Sequence, residues 1–538
     1  MNTTLPHIEE RNGKKILVVH GKPQILIAGE IHNSNSTLIE VMSTSWDRAQ
    51  EVGITTLLTP VTWEMIEPEE GKFTFELVDD LVHQARERGG QLGFLWFGAW
   101  KNSQCMYAPE WVKRDTERFK RAEMEKGKKQ IRLEFFHGTS YTTLSYVCEA
   151  TREADARAFA ELMKHLKEID GEANTVVCVQ VENETGVMGA PREHSDEADA
   201  LFEGPAPQGL IDYLRANTEE MDEELRLDVE HGAPSGTWEE VFGGSAEEVF
   251  SVYYTASYCN YVAEQGRKEY DLPMTVNCWL KQGPPGTYPT GGPTYQMMEV
   301  WEYCAPAIDI FCPDIYVKNF LEICDKYVKR GNPLYIPEAA VNGHVAARLI
   351  YCVGHYHAAC FAPFGFEDMG RAGSNPIMEI FGGDSTDPLL GEAQSTEEYR
   401  FIADALTALT PMLAGAYGTQ RLQAVIAERP QENRMDFGRI RFYAMTDLPF
   451  FPKKDGACLI LQEESEDEDV ESFTILVNRA VVSFASVDAE CPNIEILSLE
   501  QGVFTEDGWK TTLHCNGDEA QAMMYFKPTL LRCRLHLF

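Results

Sequence analysis

Basic residues are scarce in this sequence. Against 85 aspartates and glutamates stand 47 lysines and arginines, a formal charge of −38 over 538 residues. Such a chain repels phosphate backbones and anionic lipid surfaces, which excludes nucleic-acid binding through a broad basic face. Long apolar runs are missing, and none approaches the ~20 residues that cross a bilayer, so no membrane partner is expected. The opening "MNTTLPHIEERNGKK" carries no apolar segment ahead of a cleavage site; the expectation is a cytoplasmic protein with reduced thiols. The 14 cysteines follow no framework spacing. Cys352, His355, His357 and Cys360 fall together in "LIYCVGHYHAACF", but in no common zinc pattern, so no metal is expected. Also lacking are a Gly-rich phosphate loop and a G-x-S-x-G nucleophile elbow, so no cofactor is called for. There is no internal repeat and no long linker.

What is present is alternation. Apolar runs occur at 24–32, 54–61, 91–100, 175–184, 273–279, 308–316, 333–340 and 361–368, with amphipathic stretches between them. Near-continuous apolar strands alternating with helices predict a parallel sheet buried on both faces, closed as a (β/α)8 barrel over residues 1–410. Long connections at 101–150 and 185–245 are expected to wall a pocket. After about residue 415 the pattern turns to strands, "RIRFYAM", "ACLILQ", "FTILVNRAVVSF", "NIEILSL" and "AMMYFKPTLLRCRLHLF". These predict a C-terminal antiparallel, sandwich-like β domain over 411–538. The acidic "EESEDEDVES" (463–472) reads as a solvated hairpin loop.

In a parallel barrel the chemistry sits at the carboxyl ends of the strands. Those ends read "GEIHNSN", "VTWEMIEP", "FGAWKN", "ENE", "NCWLK", "DIY", "PE" and "GFED". This is a collar of aromatic, amide and carboxylate side chains. Rings such as Trp63, Trp100, Trp279 and Tyr316 can stack on the C–H faces of sugars. Glu64, Asn277, Asn183 and Glu367 can bond hydroxyls. Glu184 and Glu338 end strands 4 and 7, and a carboxylate pair there suits glycosidic cleavage. A separation of about 5–5.5 Å would mean retention and roughly 6.5–9.5 Å inversion. Bland roles compete: Glu64 and Glu67 can pair with a Lys or Arg, Glu367 and Asp368 can cap a helix, and His32 reads as a hydrogen-bonded structural residue.

Four segments in order resemble glycoside hydrolase family 35, in clan A. "QVENETG" resembles the acid/base motif of its β-galactosidases, "GEIHNSN" its strand 1 segment, and "WEMIEPEEGKFTFE" a Trp…Glu-Pro segment; "LWFGAWKNSQCMYAPEWVKRD" looks like a bacterial branch with a C-terminal β domain. The resemblance implies Glu184 as acid/base, Glu338 as nucleophile and Asn183 on the sugar's 2-hydroxyl. Glu182 is the alternative acid should strand register turn it inward. Thr185, Asn33 and "WFGAW" depart from the family pattern, the last lacking a sugar-binding Glu. These departures bear on galactose specificity more than on hydrolysis.

The implied function is a retaining exo-β-glycosidase, foremost a β-galactosidase, acting on a small oligosaccharide or glycoside. A β-glucosidase or transglycosidase of the same fold, or an inactive carbohydrate-binding protein, are the alternatives. The acidic surface is compatible with a homo-oligomer.

Overall fold

A computed structural model describes residues 5–133, 139–371, 387–465, 467, 469–505 and 508–538. Eight parallel strands close into a barrel in chain order. They are Leu26–Glu30, Thr56–Thr62, Gln91–Lys101, Val176–Asn183, Met274–Trp279, Ile310–Ile315, Tyr335–Ala339 and Cys360–Pro363, here called barrel strands 1 to 8. Each lies inside one of the apolar runs or overlaps it closely. The strands are buried along both faces, as their unbroken apolar sequences require.

The barrel interior holds Leu58, Leu95, Phe97, Cys178, Cys312, Tyr335 and Cys360. A methyl group on Gly93 would come 2.7 Å from Leu58 and 3.1 Å from the Cys178 sulfur, so the lower barrel is filled rather than open. Beneath it lies an antiparallel sheet that the apolar pattern did not predict: His7–Arg11, Lys14–Val19 and Lys22–Gln24. Leu17 and Val19 of this sheet close the amino-terminal end of the barrel.

The helix Thr396–Ala416 runs across position 410, and the first strand of the sandwich starts at Leu422. Six antiparallel strands form one sheet and four the other. Met435, Phe437, Phe442, Phe473, Ile475 and Leu531 fill the space between them. "FTILVNRAVVSF" reads as one strand in sequence but is two, Val470–Asn478 and Ala480–Ser486, in different sheets. The chain changes sheet at Arg479, which is left-handed at φ 46°. Its guanidinium is held by Asp455 at 3.0 Å and Asn478 at 2.9 Å. A part-buried bidentate pair, Arg348 to Glu428 at 2.9 and 2.8 Å, ties the barrel side to the sandwich. The acidic loop joins the paired strands Ala457–Gln462 and Val470–Asn478, although Glu466 and Glu468 lie outside the described residues. Cys352, His355, His357 and Cys360 disperse: His355 stacks on Tyr351, His357 accepts from the Gly418 amide, and Cys360 faces the barrel interior. Among the described residues no helix is long and apolar enough to cross a membrane.

Candidate active site

Barrel strand 4 ends in two left-handed residues that are not glycine, Glu182 at φ 61° and Glu184 at φ 45°. Each such residue costs about 1 kcal/mol or more. The strain has a visible result. Simple alternation along a strand would put positions 182 and 184 on one face. Instead Glu182 turns outward to the helices, and Glu184 turns into the barrel mouth. Glu182 accepts from the Trp100 amide at 2.8 Å and shares a hydrogen bond with Asp155 of the helix Glu149–Asp170. Asp155 in turn accepts from Trp96 Nε1 and Tyr258 O–H, both at 2.8 Å. Burial, followed by the Asp155 charge, pushes the Glu182 carboxyl well above the usual range. Glu182 is thus a structural acid behind the strand.

That knot is packed against Gly98. A Cβ there would lie 2.5 Å from Glu182 Oε1, 2.5 Å from Trp96 Nε1 and 2.6 Å from Asp155 Oδ1. Gly98→Ala is therefore expected to lower unfolding stability by about 1–3 kcal/mol, read by chemical denaturation. An unchanged midpoint would contradict this packing.

Glu184, Asp314 of strand 6 and Glu338 of strand 7 bring one carboxyl oxygen each within 4.8 Å of one another. Their residues are 6%, 3% and 4% exposed, so all three carboxyls are desolvated together. Asn277 of strand 5 locks two of them. Its Oδ1 accepts from the Glu184 amide at 2.9 Å, and its Nδ2 donates to Asp314 Oδ2 at 2.7 Å. Glu338 Oε2 accepts from Tyr316 O–H at 2.5 Å. Lys101 of strand 3 puts its ammonium 2.8 Å from Asn183 Oδ1 and 3.7 Å from Glu338 Oε1. With Oδ1 taken, the buried Asn183 Nδ2 is left with no protein acceptor among the described residues.

Burial, then the charge of Glu338, raises the Glu184 carboxyl to about 7; Lys101 and a hydrogen bond from Asp314 oppose the rise. Asp314 is held well above its ordinary value by burial and by Glu338 and Glu184. For Lys101, burial disfavours the charge, but Glu338, Glu184, Glu30 and Asp314 outweigh it and raise the ammonium. Glu184, Asp314 and Glu338 are spaced as a hard divalent cation would need. The Lys101 ammonium already brings positive charge to Glu338.

Of the side chains read from sequence, Glu184, Glu338, Asn183, Asn277 and Tyr316 come together. Trp279 ends strand 5, opposite Asp314 in register. The others do not join them. Trp63 is fully buried, its Nε1 on Glu67 and its ring edge-on to Trp111. Trp100 is fully buried and faces outward onto Tyr258 of the helix Ala246–Glu269. Neither indole offers a face to a sugar, and the platform reading of both is corrected: they are core residues. Glu64 is paired at the surface with Lys113 at 3.1 Å, and Glu67 with Arg157 at 2.9 Å. One oxygen of Glu367 is held by Asn35 and Ser45 at 3.0 and 2.9 Å, which anchors the helix Ile39–Val52. His32 bonds Asp368 at 2.9 Å. Sequence reasoning did not single out Glu30, Lys101 or Asp314. All three lie at carboxyl ends of barrel strands, and a search for charged residues at those positions finds them.

Residues 399–527 match a domain of unknown function (DUF5597). Beta-galactosidase 11 and beta-galactosidase 13 of Arabidopsis thaliana are each 39% identical to this chain over 66 residues, 12% of this chain and 8% of theirs. The match thus spans under a tenth of those relatives' length. Among solved structures, a cold-adapted beta-galactosidase from Rahnella sp. R3 covers 73% of this chain with 57% of its own, at 15% identity and TM-score 0.44. An exo-beta-1,4-mannosidase from Opitutaceae bacterium strain TAV5 covers 73% with 61% of its own, at 13% identity and TM-score 0.40. Residues 16–91, from the N-terminal sheet to the start of barrel strand 3, match the glycosyl hydrolases family 35 model.

Proposed function

We propose that the protein is a retaining exo-β-glycosidase that removes terminal β-linked galactose from small oligosaccharides or glycosides by double displacement. One observation carries the reading: Glu184 and Glu338 end strands 4 and 7 with carboxyl oxygens within 4.8 Å of each other. Oxygens that close are compatible with the pairing that double displacement uses.

In the first step a Glu338 oxygen attacks the anomeric carbon while Glu184 gives its proton to the glycosidic oxygen. The C–O bond breaks, the alcohol leaves, and a glycosyl ester forms on Glu338. In the second step the Glu184 carboxylate takes a proton from water, the water oxygen attacks the same carbon, and Glu338 departs. A group that titrates near 7 can give and then take a proton at neutral pH. Tyr316 and Lys101 orient the two Glu338 oxygens. Lys101 also fixes the Asn183 amide so that Nδ2 is free to meet the sugar's 2-hydroxyl.

The test is a release assay on aryl β-galactoside, β-glucoside, β-mannoside, α-arabinoside and β-fucoside. Preferred β-galactoside turnover is expected. Preference for another sugar would keep the mechanism and change the substrate. No turnover of any member, with sugar binding retained, would point instead to a binding protein.

A further inference from the structure

We propose that Glu30 is a substrate-binding residue whose carboxyl, at the end of barrel strand 1, accepts a hydroxyl of the sugar ring held over Glu338. The inference deepens the glycosidase reading and rests on it.

Glu30 is fully buried. Apart from the hydrogen bond it shares with the Glu338 carboxyl, neither of its oxygens meets an N–H or O–H donor among the described residues. A buried carboxyl whose one hydrogen bond is to another acid is costly, and such a group calls for a partner that arrives from outside. The groups it faces are those of the reacting centre: the Glu338 carboxyl, with which it shares a hydrogen bond, then Lys101 and Glu184. A structural role as an ion-pair partner of Lys101 is a poor account, because that ammonium is directed at Asn183 and Glu338.

The backbone holds Glu30 in place from both sides. Its carbonyl accepts from the Gly365 amide at 2.8 Å, and the next amide, Ile31, donates to Leu58 at 3.2 Å. Directly before it, a Cβ on Gly29 would lie 2.4 Å from the Phe366 ring, so the strand cannot shift that way. The carboxyl is therefore set in advance rather than recruited. When Glu338 turns an oxygen to the anomeric carbon, Glu30 loses the hydrogen bond it shares with Glu338 and a ring hydroxyl replaces it. The chemistry also fixes the substrate class. A neutral sugar supplies O–H donors to this carboxyl; a uronic acid would add a fifth carboxyl to Glu30, Glu184, Asp314 and Glu338, which Lys101 faces as counter-charge.

The experiment is calorimetric titration of galactose and its 2-, 3-, 4- and 6-deoxy forms into wild type, Glu30→Gln and Glu30→Ala, beside wild-type turnover of the aryl glycosides. Glu30→Gln is nearly isosteric and carries the test where Glu30→Ala fails to fold. Galactose should bind the Gln variant on the order of 10- to 100-fold more weakly. One deoxy sugar should lose a similar factor in wild type and lose nothing further in the variant. Equal weakening across the whole panel, or none, would overturn the proposal. Wild type that binds the sugars but releases no aryl alcohol would sink hydrolysis and leave the Glu30 contact standing. Wild type that binds none of them would sink the contact.

Discussion

Glu338→Gln is expected to lower kcat on an activated aryl β-glycoside by on the order of 10⁴- to 10⁶-fold, with the fold intact. Glutamine keeps the size of the side chain and an oxygen for the Tyr316 hydroxyl, but an amide does not attack the anomeric carbon. KM should change far less than kcat, because the loss is confined to the transition state. Steady-state kinetics with a melting curve on the same sample read both quantities. Activity above a hundredth of wild type would mean that another carboxyl is the nucleophile, with Asp314 and Glu30 the nearest.

Glu184→Gln should behave differently. General acid catalysis contributes about 10²- to 10⁴-fold. The loss should be largest for substrates with poor leaving groups, since a dinitrophenolate needs no proton to depart. The pH profile gives the sharper sign. Glu184 must be protonated to act as acid, and it is raised to about 7 by burial and by Glu338. In wild type kcat/KM should therefore fall as pH rises through about 7, and in the variant that limb should vanish. An alkaline limb unchanged in Glu184→Gln would assign the acid to another group, and Asp314, hydrogen-bonded to Glu184, would be examined next.

The barrel was legible because each strand is a short unbroken apolar run between helical stretches, a pattern that burial on both faces imposes. The N-terminal sheet lies outside that pattern, although its turn signals are strong. Asn12-Gly13 and His20-Gly21 are two-residue turns with both φ positive, at 50° and 73°, then 51° and 72°. Such turns join hairpins, and Asn-Gly is their commonest sequence. The strands they join, "HIEER" and "KKILVV", lack the uniform apolar character that marked the barrel.

At the site, sequence located the strand ends but not the direction of each side chain. An apolar run buried on both faces carries no inside-outside alternation, so the parity of Trp100 and Lys101 could not be read from it. Their fates are opposite: Trp100 faces the helices and Lys101 the Glu338 carboxyl. At strand 4 the left-handed residues Glu182 and Glu184 break the alternation altogether. Glu182, the alternative acid in sequence, bonds Asp155 behind the strand instead. Residue type alone makes Trp63 a platform candidate, and it does not reveal that the ring packs edge-on against Trp111.

The most direct test of the central claim is to trap the covalent intermediate. The protein would be incubated with the 2-deoxy-2-fluoro aryl glycoside of the preferred sugar, digested, and its peptides weighed and sequenced by mass spectrometry. The account predicts one fluoroglycosyl group per chain, on Glu338 within "YIPEAA". A label on Glu30, Asp314 or Glu184, or an inverted anomer as the first product with no label at all, would contradict it.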